Sequence, residues 1–199
     1  VFGIGLLEAI PASTLRALVR QQAGDGDDVT GELNMVWNPG DGEFQIGRFG
    51  WKATQATALQ QVSTAYHQDM GITSPYRPTE SSTGQKPHDD ERADDPELTR
   101  QVVDEATFYV QTLAVPARRS IDDPQVQRGE RVFTDVGCAT CHHPAIETGR
   151  LEGVPSVSNQ RIAPYTDMLL HDMGPALSDG RPAFEASGSE WRTAPLWGL

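Results

Sequence analysis

The chain has 199 residues, with 16 Lys and Arg against 28 Asp and Glu, a net charge of −12 at pH 7. That charge points away from nucleic acid and from anionic membrane surfaces, both of which need a cationic footprint. No apolar run approaches the ~20 residues that cross a bilayer, and the length suffices for a sizeable core in one or two domains.

The first predicted helix follows Pro11, over 13–19, with Ser13 as its cap. Gly24-Asp25-Gly26-Asp27-Asp28 ends it; the cluster lacks the ordered ligand spacing of a calcium loop and reads as a solvated turn. Residues 33–37 and 44–49 flank Asn38-Pro39-Gly40-Asp41-Gly42, which predicts a β-hairpin. The Ala- and Gln-rich stretch 53–68 should be helical, with Leu59, Val62 and Tyr66 on one face. His67 and Met70 near its end are read as packing or surface residues in preference to metal ligands.

Residues 73–95 are rich in Pro, Ser, Thr and Asp and predict an exposed loop, in which His88 sits in a charge run with Asp89, Asp90 and Glu91. A helix is expected over 96–113, where Leu98, Val102, Val103, Ala106, Tyr109, Val110 and Leu113 recur at helical spacing as a core stripe. Pro116 breaks it, and Asp123-Pro124 opens another helix with Val126, Gly129, Val132 and Phe133 on one face. The expected fold class is mainly α: a helical segment with a small β-hairpin over 1–115, then a cytochrome-c-like domain over 116–199.

That last helix runs into Cys138-Ala139-Thr140-Cys141-His142, the C-x-x-C-H pattern of covalent c-type haem attachment. Two thiols three positions apart reach the two vinyl groups of one haem, and His142 is then placed under the iron as proximal ligand. A zinc site completed by His143 and His171, a redox-active thiol pair, and two plain buried cysteines are the competing readings. The chain has two cysteines, so thioether formation would consume both. Haem is joined to these thiols after export, so a periplasmic location is expected. The apolar start, Val1 to Leu7, has neither the basic region nor the cleavage site of a signal peptide and reads as the middle of a longer protein.

Gly129-Glu130-Arg131-Val132-Phe133 before the motif, and Tyr165 to Gly174 after it, resemble the second haem domain of bacterial di-haem cytochrome c peroxidases. Asp179-Gly180-Arg181 and Trp191-Arg192-Thr193-Ala194-Pro195-Leu196 extend that likeness. Gly5 to Pro11, Arg48-Phe49-Gly50-Trp51-Lys52-Ala53 and Glu190 to Leu199 resemble the related di-haem oxidoreductase family, also labelled thiol oxidoreductase. The resemblance implies a periplasmic protein with two c-type haems, of which this chain carries one attachment motif. It is therefore expected to be a fragment, truncated at its C-terminal end, with the second haem elsewhere in the complete protein.

In the peroxidases a Met just before the Phe-Arg/Lys segment ligates this haem; here Gly188-Ser189-Glu190 stands there. Glu190 is accordingly read as an acid/base residue at an open iron position, or as an ion-pair partner of Arg192 or Arg181. Met173, with Met168 and His171 behind it, is the alternative distal ligand. Two function classes follow: part of a peroxide-reducing oxidoreductase, or an electron-transfer domain without chemistry of its own. Either would exchange electrons with a protein donor or acceptor.

Overall fold

The computed structural model describes residues 2–26, 28–84 and 94–198. Asp27 of the acidic turn and the run from His88 to Glu91 lie outside them. The chain opens with α1 (Ile4–Glu8) and α2 (Ala12–Gln22), separated at Pro11, whose fixed φ and extended ψ suit the residue before a helix. Leu6 and Leu7 of α1 and Leu15 and Leu18 of α2 are buried.

β1 (Met35–Asn38) pairs antiparallel with β2 (Glu43–Ile46), as the hairpin signal predicts. The turn is held by Asn38, whose amide donates to Asp41 and Gln45 and whose carbonyl oxygen accepts from the Gly40 N–H. Trp37 and Phe44 stand opposite each other, ring centroids 5.4 Å apart and edge to face.

The third helix, α3, spans Ala58–Asp69 and starts five residues later than the composition suggests. Residues 49–55 are instead a closed loop in which Phe49 and Gln55 exchange backbone hydrogen bonds of 3.0 and 3.2 Å. Gly47 lets that loop fold back, since a Cβ there would lie 1.7 Å from the Ala53 carbonyl oxygen. Thr57 then caps α3 by accepting from the Gln60 N–H.

Helix α4 (Arg100–Thr112) likewise begins after the expected proline, at the Thr99 cap. Its apolar stripe is only partly core: Val103 is fully buried, whereas Val102 and Tyr109 are exposed. The stretch expected as an exposed loop is anchored at its start, for Thr73 and Ser74 are fully buried and the Thr73 N–H donates to Glu97.

The helix before the motif is α5 (Pro124–Asp135), capped by the Asp123 carboxylate on the Gln125 N–H at 2.7 Å. Beyond it the chain forms short pairs: β3 (Ile146–Glu147) with β4 (Arg161–Ile162), and β5 (Leu170–Asp172) with β6 (Glu190–Arg192). The expectation of a mainly α fold is corrected by these pairs. With five helices and three two-stranded sheets, about 33% helix and 13% strand, the described chain is mixed α/β. Strands of two or three residues are too short to leave an alternating pattern in the sequence.

One apolar cluster joins Leu6, Leu7, Ile10, Leu15 and Leu18 to Ile146, Val154, Val157, Ile162, Met168 and Leu169. Residues from both sides of position 115 thus share a core, and that core carries the loop 163–169 which faces the motif.

Candidate functional site

The C-x-x-C-H segment leaves α5 through Gly137, whose φ of 87° is open to glycine and costly for other residues. A single 3-10 turn, Cys138–Thr140, then brings the His142 N–H to the Cys138 carbonyl at 3.0 Å. The two thiols and the imidazole are thereby wound onto one short turn, with Cys138 exposed and Cys141 half-buried.

Loop 163–169 fastens this turn from outside. The Asp167 N–H donates to the Cys141 carbonyl at 2.9 Å and the Thr166 N–H to the His143 carbonyl at 3.2 Å. His142 Nδ1 donates to the Tyr165 carbonyl at 2.8 Å. A backbone acceptor at Nδ1 places the proton there and leaves Nε2 with its lone pair free, which is how a ligating imidazole is oriented. Phe133 of α5 braces both rings edge to face, with centroids 6.3 Å from His142 and 5.6 Å from Tyr165.

Cys138, Cys141 and His142 open onto a cavity of about 560 Å³. Its far side is formed by Trp51, Met173, Leu177, Trp191 and Arg192. Trp191 is fixed by its indole N–H on the Leu177 carbonyl, and the buried Lys52 ammonium lies 4.5 Å from its ring centroid. Lys52 in turn donates to Asp179 and to the carbonyls of Arg181, Ser187 and Gly188, which clamps the loop between β5 and β6.

Of the three alternative distal residues, Met173 and His171 line the cavity, while Met168 belongs to the apolar core. His171 has both ring nitrogens engaged, Nδ1 on the Thr30 carbonyl at 3.0 Å and Nε2 on Asp167 at 2.8 Å. With oxygen acceptors at both nitrogens the ring is an imidazolium, and Asp167 is its buried counter-ion. Burial pulls the His171 pKa down, but the hydrogen bonds to Asp167 and Cys141 and their charge outweigh it, leaving it raised to about 10. Gln22 of α2 donates to Asp167 at 2.9 Å and to the Thr140 carbonyl at 3.1 Å, a link between the amino-terminal core and the motif.

Glu190 sits in β6, its carboxylate on the Ser187 N–H at 2.7 Å, and is not among the residues that line the cavity. Neither of its expected arginine partners lies within ion-pair distance, among the described residues. As for zinc, the one described group of converging ligand atoms in this region is Cys141, Asp167 and His171; Cys138 and His143 do not join it. Sequence reasoning missed Tyr165, Trp51 and Gln22, which act through a carbonyl, a wall and a long-range bond. No residue pattern signals such roles.

An oriented imidazole, two free thiols on one turn and an apolar cavity opening onto all three have the chemistry that a haem-carrying site requires. The chain belongs to the family described as Di-haem oxidoreductase, putative peroxidase, whose family model matches residues 1–199, the whole chain. No curated protein and no solved structure matches it. The haem that the family implies fits the residues present: the donor set is a free imidazole nitrogen beside two thiols, and the adjoining walls are chiefly indole, thioether and aliphatic surface.

Proposed function

We propose that this chain is the c-type haem-bearing part of a periplasmic di-haem oxidoreductase that transfers electrons and reduces peroxide. Cys138 and Cys141 would hold the haem by thioethers, and His142 Nε2 would be its proximal ligand. The observation that carries this reading is the 2.8 Å bond from His142 Nδ1 to the Tyr165 carbonyl, which leaves Nε2 free beside the cavity. When bound, haem supplies one-electron chemistry at an iron whose potential follows its axial ligands and surroundings.

The protein's own part is positional. Tyr165 fixes the tautomer of His142, Phe133 fixes the ring, and loop 163–169 prevents the turn from opening. Trp51, Leu177 and Trp191 narrow the access of water to the cavity. Glu190 ties the Ser187 backbone at the edge of β6 and does not line the cavity, so an acid/base role at the distal side requires its carboxylate to leave Ser187 and turn toward the iron. Electrons reach an acidic chain of net charge −12 most readily from a basic protein donor.

Met173 on the cavity wall favours a second reading, an electron relay in which that sulfur fills the distal position. The test is to express the complete parent protein with cytochrome maturation machinery and record its spectrum. One of the two expected haems that stays with the protein through acidified-solvent extraction, and is lost when Cys138→Ala and Cys141→Ala are combined, supports the attachment; an unchanged haem content in that double variant, or haem fully extracted from the parent, overturns it. A high-spin spectrum that responds to peroxide favours the oxidoreductase, and a sulfur-to-iron charge-transfer band that ignores peroxide favours the relay. Glu190→Gln with unchanged peroxide reactivity would remove the acid/base role, and cell fractionation tests the location.

A further inference from the structure

Among the described residues Arg192 is the one Lys or Arg on the cavity wall, and no carboxylate pairs with it directly. A guanidinium has five N–H donors. Arg192 gives Nε to the Gly50 carbonyl and Nη1 to the Thr193 carbonyl, each at 3.0 Å. Among the described residues no carboxylate lies within ion-pair distance of it. Asp167 acts on it by charge alone, because its own oxygens are taken by His171, Gln22 and the Leu169 N–H. Lys52, a few ångströms behind the same wall, is by contrast fully provided for, with Asp179 at 2.8 Å.

The position of Arg192 is built. Its backbone N–H donates to the Trp51 carbonyl at 2.8 Å, and β6 pairs it with Leu170. Burial pulls its pKa down, with the charge of Asp167 opposing. Arg192 is half-buried, and a partly desolvated cation beside apolar walls is stabilised by an anion that joins it. We propose that Arg192 binds a carboxylate in the cavity, namely a propionate of the haem, through its planar fork. The proposal rests on the haem reading above.

It is tested in the complete haem-loaded protein with Arg192→Gln and Arg192→Lys. Reduction potentials are measured from about pH 5 to about pH 8, with redox-difference infrared spectra in the carboxyl region. In the parent, Arg192 holds the propionate ionised, so the potential stays flat with pH and no protonated-carboxyl band is seen. In Arg192→Gln the lost cation lowers the potential. The propionate then binds a proton more tightly when the iron is reduced, so the potential falls as pH rises and a protonated-carboxyl band appears. Arg192→Lys keeps the charge and restores the flat profile.

A pigmented Arg192→Gln protein with the parent's potential at every pH overturns the proposal. So does a protonated-carboxyl band in the parent at neutral pH, which needs no variant. A changed affinity for added cyanide with an unchanged potential profile would instead assign Arg192 to a small anion, and overturns it as well. A parent without haem overturns the haem reading itself, a different result from any of these.

Discussion

Helices α2 and α5 have 11 and 12 residues, and both are amphipathic, yet they meet opposite fates. Leu15 and Leu18 of α2 pack into the apolar cluster, whereas α5 buries none of its side chains and leaves Val126 and Val132 exposed. Helix formation needs an apolar face covered by something. In α2 the cover is protein. In α5, which ends at the C-x-x-C-H pattern, the protein offers rings on one edge and little more, and on the function proposed above the haem would supply the rest.

The hinge of that comparison is Asp167, which joins α2 through Gln22 to the motif through His171 and the Cys141 carbonyl. Asp167→Asn leaves the His171 imidazolium without its buried counter-ion and should cost about 3–5 kcal/mol in urea unfolding. A loss below about 1 kcal/mol would mean that the two regions are not joined there. Leu15→Ala should cost roughly 2–5 kcal/mol by the same measurement, because the site is packed on all sides and cannot collapse.

Amide hydrogen exchange sharpens the contrast without mutation. Loading haem should raise protection across α5 and leave α2 nearly unchanged, since ligand binding stabilises most what it newly covers. Equal gains in both helices would break the comparison. The smallest effect belongs to the clamp behind the cavity. The hydrogen bond from Lys52, with the Arg181 N–H, holds the Asp179 carboxyl below its usual range. A depressed folded pKa contributes stability above the unfolded value, near 3.8, that is lost as pH falls through the folded one. Acid unfolding of Asp179→Asn should therefore lack a shallow component that the parent shows below about pH 4.

Legibility in the sequence followed the range of the physics. The hairpin was readable from Asn38 to Gly42 because turn residues act on their own backbone. The existence of α2, α3, α4 and α5 was readable from period and caps, but the starts of α3 and α4 were set by the Phe49–Gln55 loop and by the Thr73–Glu97 contact. Those bonds join segments whose pairing no local pattern announces. The four strands after the motif, each two or three residues long, exist because loops already brought together by the core exchange a few backbone bonds.

The sequence by itself determined the chemistry on offer, for thiols and imidazole at Cys138, Cys141 and His142 lie within one turn of chain and need no distant partner to be near one another. It determined the acidic surface in the same way, by composition. Tertiary structure alone decided which nitrogen of His142 is free, that His171 is occupied by Asp167 and Thr30, that Met173 and not Met168 reaches the cavity, and that Arg192 faces it with no carboxylate within ion-pair distance among the described residues. Each of these depends on a contact between residues brought together by folding, and such proximity is a property of the packed core and not of any stretch of sequence.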